Sequence, residues 1–393
     1  MNFGAAILGF AVLIFIHEAG HFLAARAVGM KPRKFYLGFP PALLKTTRGG
    51  VEYGIGAIPL GGYVKLPGMH RPAPGDLGAS LQPARAAELR EPLAVLDGAI
   101  GRGDDPGALE QLRLLEPELP GNRLIGEIRD GLAPDAYWRQ RAWKRVLVIG
   151  AGPVTNVVFA LVVFAVVFSA TGAFKPTRGV QSVLPGDPAV KAGLRAGDEI
   201  VRIAGHGVSA TGIQTAIRAT RGRAFTIVVE RRGHLVTVGP LRARDEDGDY
   251  MVGFEIKGVS GPGESLPHAL SSSLNLIGTI AWSTVDAVGQ LAHGKGTRNV
   301  SSVVGMVRDT AQAYQVSVWD FVEIVGLLSL VLGLANLLPL LPFDGGHIVM
   351  SVLEGLRRRA FSQLVYMRYS AVGLTIFLVL LYLGLRNDLF RSG

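Results

Sequence analysis

Two histidines and a glutamate fall inside an otherwise apolar run near the amino terminus, in the order Phe15-Ile16-His17-Glu18-Ala19-Gly20-His21-Phe22-Leu23-Ala24-Ala25-Arg26. On a helix, His17 and His21 lie four residues apart and share a face, so two neutral imidazole nitrogens can converge on one zinc ion. Glu18 stands beside that face. In an H-E-x-x-H pattern its carboxylate is free to take the proton of a water that the metal activates for attack on a peptide carbonyl. The bland alternative, histidines as core or interfacial groups at a helix end, leaves the cost of ionisable groups at membrane depth unexplained.

A second polar set interrupts a later hydrophobic segment, Gly333-Leu334-Ala335-Asn336-Leu337-Leu338-Pro339-Leu340-Leu341-Pro342-Phe343-Asp344-Gly345-Gly346-His347. Two prolines and paired glycines break any helix here, and broken backbone at membrane depth has to be buried in protein or line a wet cavity. Asp344 is the candidate third zinc ligand, leaving a fourth position for water; its other reading is an N-cap for the helix that starts near Gly346. Asn336 is a candidate catalytic residue as a donor to the oxyanion formed during attack, or a tie for the broken helix. His347 reads as a neighbour of the site or an interfacial group rather than a ligand.

The elements that must position these groups are mostly apolar. Of 393 residues 49% are hydrophobic and only 18% charged, and the mean hydropathy is +0.33, the balance of a membrane protein carrying some soluble mass. There is no Cys, so disulfides are excluded and a zinc site must use His and carboxylate. The net charge of +9 fits juxtamembrane Arg and Lys better than nucleic-acid binding, for which no Arg-aromatic pattern is present.

Phe3 to Ala25 has the length to span a bilayer, and the basic cluster Arg26, Lys31, Arg33 and Lys34 then fixes its far end as cytoplasmic. A signal peptide fits less well, since nothing basic precedes the apolar run. Val51 to Lys65 alternates and is glycine-rich, as in a hairpin or small sheet near the membrane whose open edge could pair with an unwound substrate strand. Pro, Gly and mixed charges over residues 76–140 read as a small helical insert. Arg139, Arg141, Lys144 and Arg145 precede the second apolar run, Val146 to Ala170, in which Gly150, Gly152 and Pro153 permit close helix approach and Asn156 supplies a buried polar group. Leu266 to Ala292 is moderately apolar. A crossing there would put Arg357, Arg358, Arg359 and Arg368 outside, against the charge rule, so an amphipathic helix on the outer surface is expected. Phe321 to Pro342 and Ser370 to Leu385 are the third and fourth spans.

Gly179 to Val208 resembles a PDZ domain in the Pro188-Ala189 pair, the Ala192-Gly193-Leu194 turn, Gly197-Asp198-Glu199-Ile200 entering a strand, and Gly205. The helix Thr211 to Thr220 and the strands Phe225 to Arg231 and Leu235 to Leu241 would complete it to about Ile256. PDZ domains take extended peptides along an edge strand, which Gly179 and Val180 would begin. The expected order is a first transmembrane helix with H-E-x-x-H (1–27), a membrane-associated β-hairpin region on the cytoplasmic side (28–75), a cytoplasmic helical insert (76–140), a second transmembrane helix (141–172), the PDZ domain (173–258), and an outer-surface helix and linker (259–316). A third transmembrane helix (317–346), a cytoplasmic basic segment (347–369), and a fourth transmembrane helix with tail (370–393) follow. The fold class is therefore a polytopic α-helical membrane protein with four transmembrane helices, an inserted extracytoplasmic α+β PDZ domain and a small membrane-associated sheet.

From Phe3 to about Leu385 the chain resembles the site-2 protease family of intramembrane zinc metalloproteases, in its bacterial PDZ-containing branch that acts on anti-sigma factors. The resemblance rests on H-E-x-x-H, G-P-x-x-N in the second span, the PDZ module, and N-x-x-P-x-x-P-x-D-G in the third. It implies zinc on His17, His21 and Asp344, Glu18 as general base, and Asn336 near the scissile bond. It also implies a single-pass membrane protein as substrate, an upstream site-1 protease acting on the same substrate, and a multi-pass place in the cell's inner membrane with the PDZ domain extracytoplasmic. Phe343 stands where the family usually has Leu, the insert after Gly75 has no familiar counterpart, and only one PDZ module is evident. Two other readings remain: a non-catalytic PDZ-bearing adaptor with a structural metal site, which has no need of Glu18, and a metal transporter, which would want polar groups across the whole membrane depth.

Overall fold

The computed structural model of the chain describes residues 2–184, 186–246, 249–293, 318–361 and 363–391. The linker expected before the third span, at residues 294–316, lies outside them. The chain forms two compact units, residues 1–160 with 301–393, and residues 161–300.

In the first unit helix α1 (Asn2–Ala27) is followed by two long strands, β1 (Lys34–Arg48) and β2 (Val51–Lys65). Val51 to Lys65 is thus not a self-contained hairpin. Its two ends flank the start of β1: Lys34 pairs with both Glu52 and Lys65, and Leu37 with both Ile55 and Gly62, while Ala42 to Arg48 folds back on Gly56 to Val51. The result is a four-ply ribbon with Gly62–Lys65 along one edge. Aromatic rings seat it on α1: Phe35 lies edge-on to Phe15 and Phe22, with centroids 5.8 and 5.4 Å apart, a geometry the ring quadrupoles favour.

Five short helices follow, α2 (Asp76–Ala79), α3 (Pro83–Glu88), α4 (Arg90–Arg102), α5 (Asp105–Leu115) and α6 (Arg123–Leu132). Their apolar faces close on a core of their own that includes Leu77, Leu96, Leu112, Leu115 and Ile125. Ion pairs fix this cluster to the ribbon: Asp130 of α6 meets Arg33 Nε and Lys65 Nζ, each at 3.0 Å, and Asp135 meets Arg33 at 3.1 Å.

Among the described residues four helices are long and apolar enough to cross a membrane: Leu8–Ala27 within α1, α7 (Ala142–Thr171), α11 (Val318–Asn336), and Val365–Arg386 within α13 (Gln363–Arg391). The third had been expected to continue to Pro342, but it ends at Asn336. Pro339 and Pro342 have no N–H to give to a helical ladder, and the chain turns through Leu337–Phe343 before α12 (Asp344–Arg357) begins. The basic segment after Gly346 is therefore largely helical. Helices α1, α7 and α11 approach closely at small residues, as membrane helices do: a Cβ on Gly20 would lie 2.6 Å from Ala151 O, and Ser329 Oγ donates to Asn156 O at 2.9 Å. The Asn156 side chain is fully buried in this seam, and its amide has no hydrogen-bond partner among the described residues. At the basic end of α7, Arg145 makes a buried, close ion pair with Glu354 of α12, and Tyr137 OH meets Ser351 Oγ at 2.9 Å.

The second unit is built on a sheet of order β10-β3-β4-β6-β7 with a short strand β5 on β4. Its strands are β3 (Phe174–Val183), β4 (Glu199–Ile203), β5 (His206–Gly207), β6 (Ala224–Arg231), β7 (His234–Arg242) and β10 (Phe254–Ser260). A separate two-stranded piece pairs β8 (Arg244–Glu246) with β9 (Asp249–Met251). Alternation in β6 points Phe225, Ile227 and Val229 into a core shared with Ile200, Ile203, Ile213 and Ile217. Helices α8 (Pro188–Ala192) and α9 (Ile213–Ala219) cover it. The expectation that Gly179 and Val180 start an open edge is corrected: β10 pairs with β3, Val180 opposite Ile256, so β3 is an interior strand. Helix α10 (Leu266–Ala292) closes the unit, with Ala269 and Ser273 buried and Trp282 and Val285 exposed.

Candidate metal centre

His17 and His21 stand one turn apart on α1, and both are buried. A carbonyl oxygen can only accept, so the 2.9 Å contact of His21 Nδ1 with Val148 O of α7 is an N–H donation, and it leaves Nε2 as the free lone pair. The ring reaches α7 because position 152 is glycine: a Cβ there would sit 2.3 Å from His21 Nε2.

Asp344 arrives from the other side of the chain break. Phe343 occupies the N-cap position of α12 and Asp344 the first turn, so its carboxylate is not spent on capping. The next residue must be small, since a Cβ on Gly345 would meet Leu337 O and Leu338 O at 2.3 Å. This tight turn brings Asp344 Oδ2 to 3.1 Å from His17 Nε2 and 3.3 Å from His21 Nε2, and the two histidine nitrogens lie 3.2 Å apart. Asp344 Oδ2 is buried and has no hydrogen-bond partner among the described residues. Two imidazoles and a carboxylate facing inward on so small a triangle offer three lone pairs to one cation. Donors about 2.0–2.1 Å from a tetrahedral zinc stand about 3.3 Å from one another, so spacing and donor types both fit that ion.

Glu18 points beside this triangle. Its Cγ lies close under Gly62, where an added Cβ would be 3.0 Å away. A cavity of about 750 Å3 opens from His17, Glu18, His21 and Asp344. The ribbon edge Gly62–Lys65 forms one wall, and the helical insert, through Leu124, Glu127 and Ile128 of α6, forms another. Asn336 and His347 also line it. One N–H of the Asn336 amide is given to Leu332 O at 3.1 Å, the tie expected of a helix end, and the amide keeps a second N–H.

The structure thus brings together His17, Glu18, His21, Asp344 and Asn336 around one cavity. Residue types did not single out Val148, which acts through a backbone carbonyl that has no signature in the sequence. The insert wall was equally illegible, since its place depends on the Asp130 and Asp135 ion pairs to the ribbon.

Comparison with known proteins places these residues in a family. The model of Peptidase family M50 matches residues 5–380. A Mesorhizobium japonicum protein named as a provisional zinc metalloprotease is 30% identical over 396 residues, covering 96% of each chain. The zinc metalloprotease Rip1 of Mycolicibacterium smegmatis is 29% identical over 412 residues, covering 91% of this chain and 87% of that protein. Rip1 of Mycobacterium bovis is 29% identical over 406 residues, with 90% and 86% covered. With a His-His-Asp triangle of metal-ligand spacing, a neighbouring glutamate and a family match over nearly its whole length, the chain belongs to Peptidase family M50, the site-2 proteases, and is a zinc metalloprotease.

Proposed function

We propose that this chain is an intramembrane endopeptidase that cuts a peptide bond within or near the membrane segment of a single-pass protein. The family resemblance implies an anti-sigma factor as the substrate class, already trimmed on its outer side by a site-1 protease. The observation that carries the reading is the convergence of His17, His21 and Asp344 from two apolar segments, 3.1–3.3 Å apart, at a cavity that also holds Glu18.

His17, His21 and Asp344 hold the metal. When bound, zinc supplies Lewis-acid polarisation of the peptide carbonyl and makes water a nucleophile near neutral pH. Glu18 takes the proton from the attacking water and returns it to the leaving amine. Asn336 holds the end of α11 through Leu332 O and offers its remaining N–H to the oxygen on which charge develops. A substrate helix satisfies its own amides and hides its carbonyls, so it must unwind before attack. The open edge Gly62–Lys65, beside Glu18, can pair with the unwound strand.

The sheet unit at residues 173–258 is read as a PDZ domain on the extracytoplasmic side, screening substrates by the bulk of their outer portion, with residues 28–140 in the cytoplasm. Cysteines introduced at Ser209 and Ser80 test the topology: only the first should react with an impermeant reagent from outside. The activity is tested with purified protein in detergent and a panel of single-span reporters, the products mapped by mass spectrometry. Cuts in or near the membrane segment that vanish on chelation are expected. Cuts confined to soluble tails, or none in any reporter, would overturn the proposal.

A further inference from the structure

A second cavity, about 1210 Å3, opens where α1 ends. Arg26 from the last turn of α1, Lys31 from the connection and Arg48 from the last position of β1 converge on it, with Tyr53 on its wall. Arg33 also lines it but is committed to Asp130 and Asp135. The side-chain cations of Arg26, Lys31 and Arg48 have no ion-pair partner among the described residues, although the Lys31 backbone N–H donates to Asp135 at 3.1 Å; the Arg26 guanidinium lies 5.7 Å over the Phe22 ring. Three uncompensated cations around one concave opening repel each other, and an anion that enters is favoured by all of them.

Position and the neighbouring apolar surface say which anion. Arg26 marks the end of the apolar stretch Leu8–Ala27, the depth at which headgroups lie. Leu8, Val12, Phe15 and Leu23 are exposed, and at 100° per residue they share with Arg26 an arc of about 80° on the helix surface. Arg26 to Phe15 covers about 16 Å of helix, close to half of a ~30 Å hydrocarbon core. A continuous apolar stripe one leaflet long therefore runs down α1 to the basic cavity. The geometry points to a binding site for an anionic phospholipid, its phosphate held by Arg26, Lys31 and Arg48 and an acyl chain lying along the α1 stripe.

The test is native mass spectrometry of the full chain released from micelles containing phosphatidylglycerol and phosphatidylcholine in equal amounts, repeated with inorganic phosphate in place of the anionic lipid. Wild type should retain phosphatidylglycerol over phosphatidylcholine and should hold inorganic phosphate far more weakly, for want of the apolar contact. Neutralising a headgroup-contacting cation lowers affinity about fivefold, so Arg26→Gln, Lys31→Gln and Arg48→Gln together should lose about a hundredfold. Arg48→Glu alone, at the exposed last residue of β1 where folding is little affected, should lose at least fivefold. Arg357→Gln, Arg358→Gln and Arg359→Gln together remove the same charge from exposed positions elsewhere on the chain and should leave retention unchanged. Equal retention of the two lipids, unaltered retention in Arg48→Glu, or an equal loss in the control triple variant would overturn the assignment. Phosphate binding as tightly as the lipid would show an anion site that is not a lipid site and would overturn it too.

Discussion

Replacing Gly152 with alanine would set a methyl carbon 2.3 Å from His21 Nε2 and 2.6 Å from its Cε1. Carbon and nitrogen in contact prefer about 3.5 Å, so the ring or the whole α1–α7 crossing must shift by about 1 Å. The crossing has little slack, because Gly20 of α1 already lies against Ala151 O and Thr155 of α7. The ring can escape only by giving up its hydrogen bond to Val148 O. Metal sites tolerate ligand displacements of about 0.2 Å. Disturbing the groups that orient a ligand costs about 10- to 100-fold in metal affinity, or about 1.4–2.8 kcal/mol; Gly152→Ala should fall at or beyond the upper end. Gly150→Ala is the matched control, since its Cβ would meet nothing nearer than Ile348 Cδ1 at 3.9 Å. Zinc affinity is read by chelator competition on purified protein, with reporter cleavage in parallel. Wild-type zinc affinity in Gly152→Ala, or an equal loss in Gly150→Ala, would show that Gly152 does not make room for the His21 ring.

Two further perturbations probe the supports of the site and the sheet unit. Arg145→Met or Glu354→Met should each destabilise by about 3–5 kcal/mol by stranding a buried charge, and the double variant should cost less than their sum; additive losses in thermal unfolding would contradict a coupled pair. In the sheet unit, burial pushes the Asp198 carboxyl up, but the two-pronged Arg231 guanidinium and the Arg195 N–H outweigh it and hold the carboxyl below the usual carboxylate range. A depressed carboxylate contributes its full stability above the unfolded value of about 3.9 and loses it as pH falls through the folded one. The protection factors of amides over residues 174–260 of the full chain, taken relative to the intrinsic exchange rate at each pH, should fall below about pH 4, and Arg231→Gln should flatten that dependence; an unchanged profile in Arg231→Gln would sink the assignment.

How much of this was legible in the sequence follows from how local each determinant is. His17, Glu18 and His21 declare themselves because four residues of helix set their spacing. Asp344 could be picked out by the prolines and glycines that break its segment, although its distance from the histidines depends on a turn that only the folded chain displays. The ribbon is the opposite case. Alternation in Val51 to Lys65 announced strand, but the doubling of its two ends around Lys34–Leu37 is a non-local pairing that no short-range pattern encodes. Likewise Val180 looked like an edge residue until β10, more than seventy residues away, was seen to pair with its strand. Gly152 stood out as a small residue, yet packing alone would have explained it; only the position of the His21 ring shows what it makes room for.

The proposed division of labour gives the metal to His17, His21 and Asp344 and the proton to Glu18. Bound zinc per protein, measured alongside cleavage of one reporter for wild type, Glu18→Gln and Asp344→Asn, tests it most directly. Glu18→Gln keeps size and hydrogen bonding but cannot accept a proton, so zinc should stay at the wild-type level while cleavage falls by about 100-fold or more. Asp344→Asn removes the one anionic ligand, so zinc and cleavage should fall together. Substantial cleavage by Glu18→Gln, or full zinc retention in Asp344→Asn, would be incompatible with these roles.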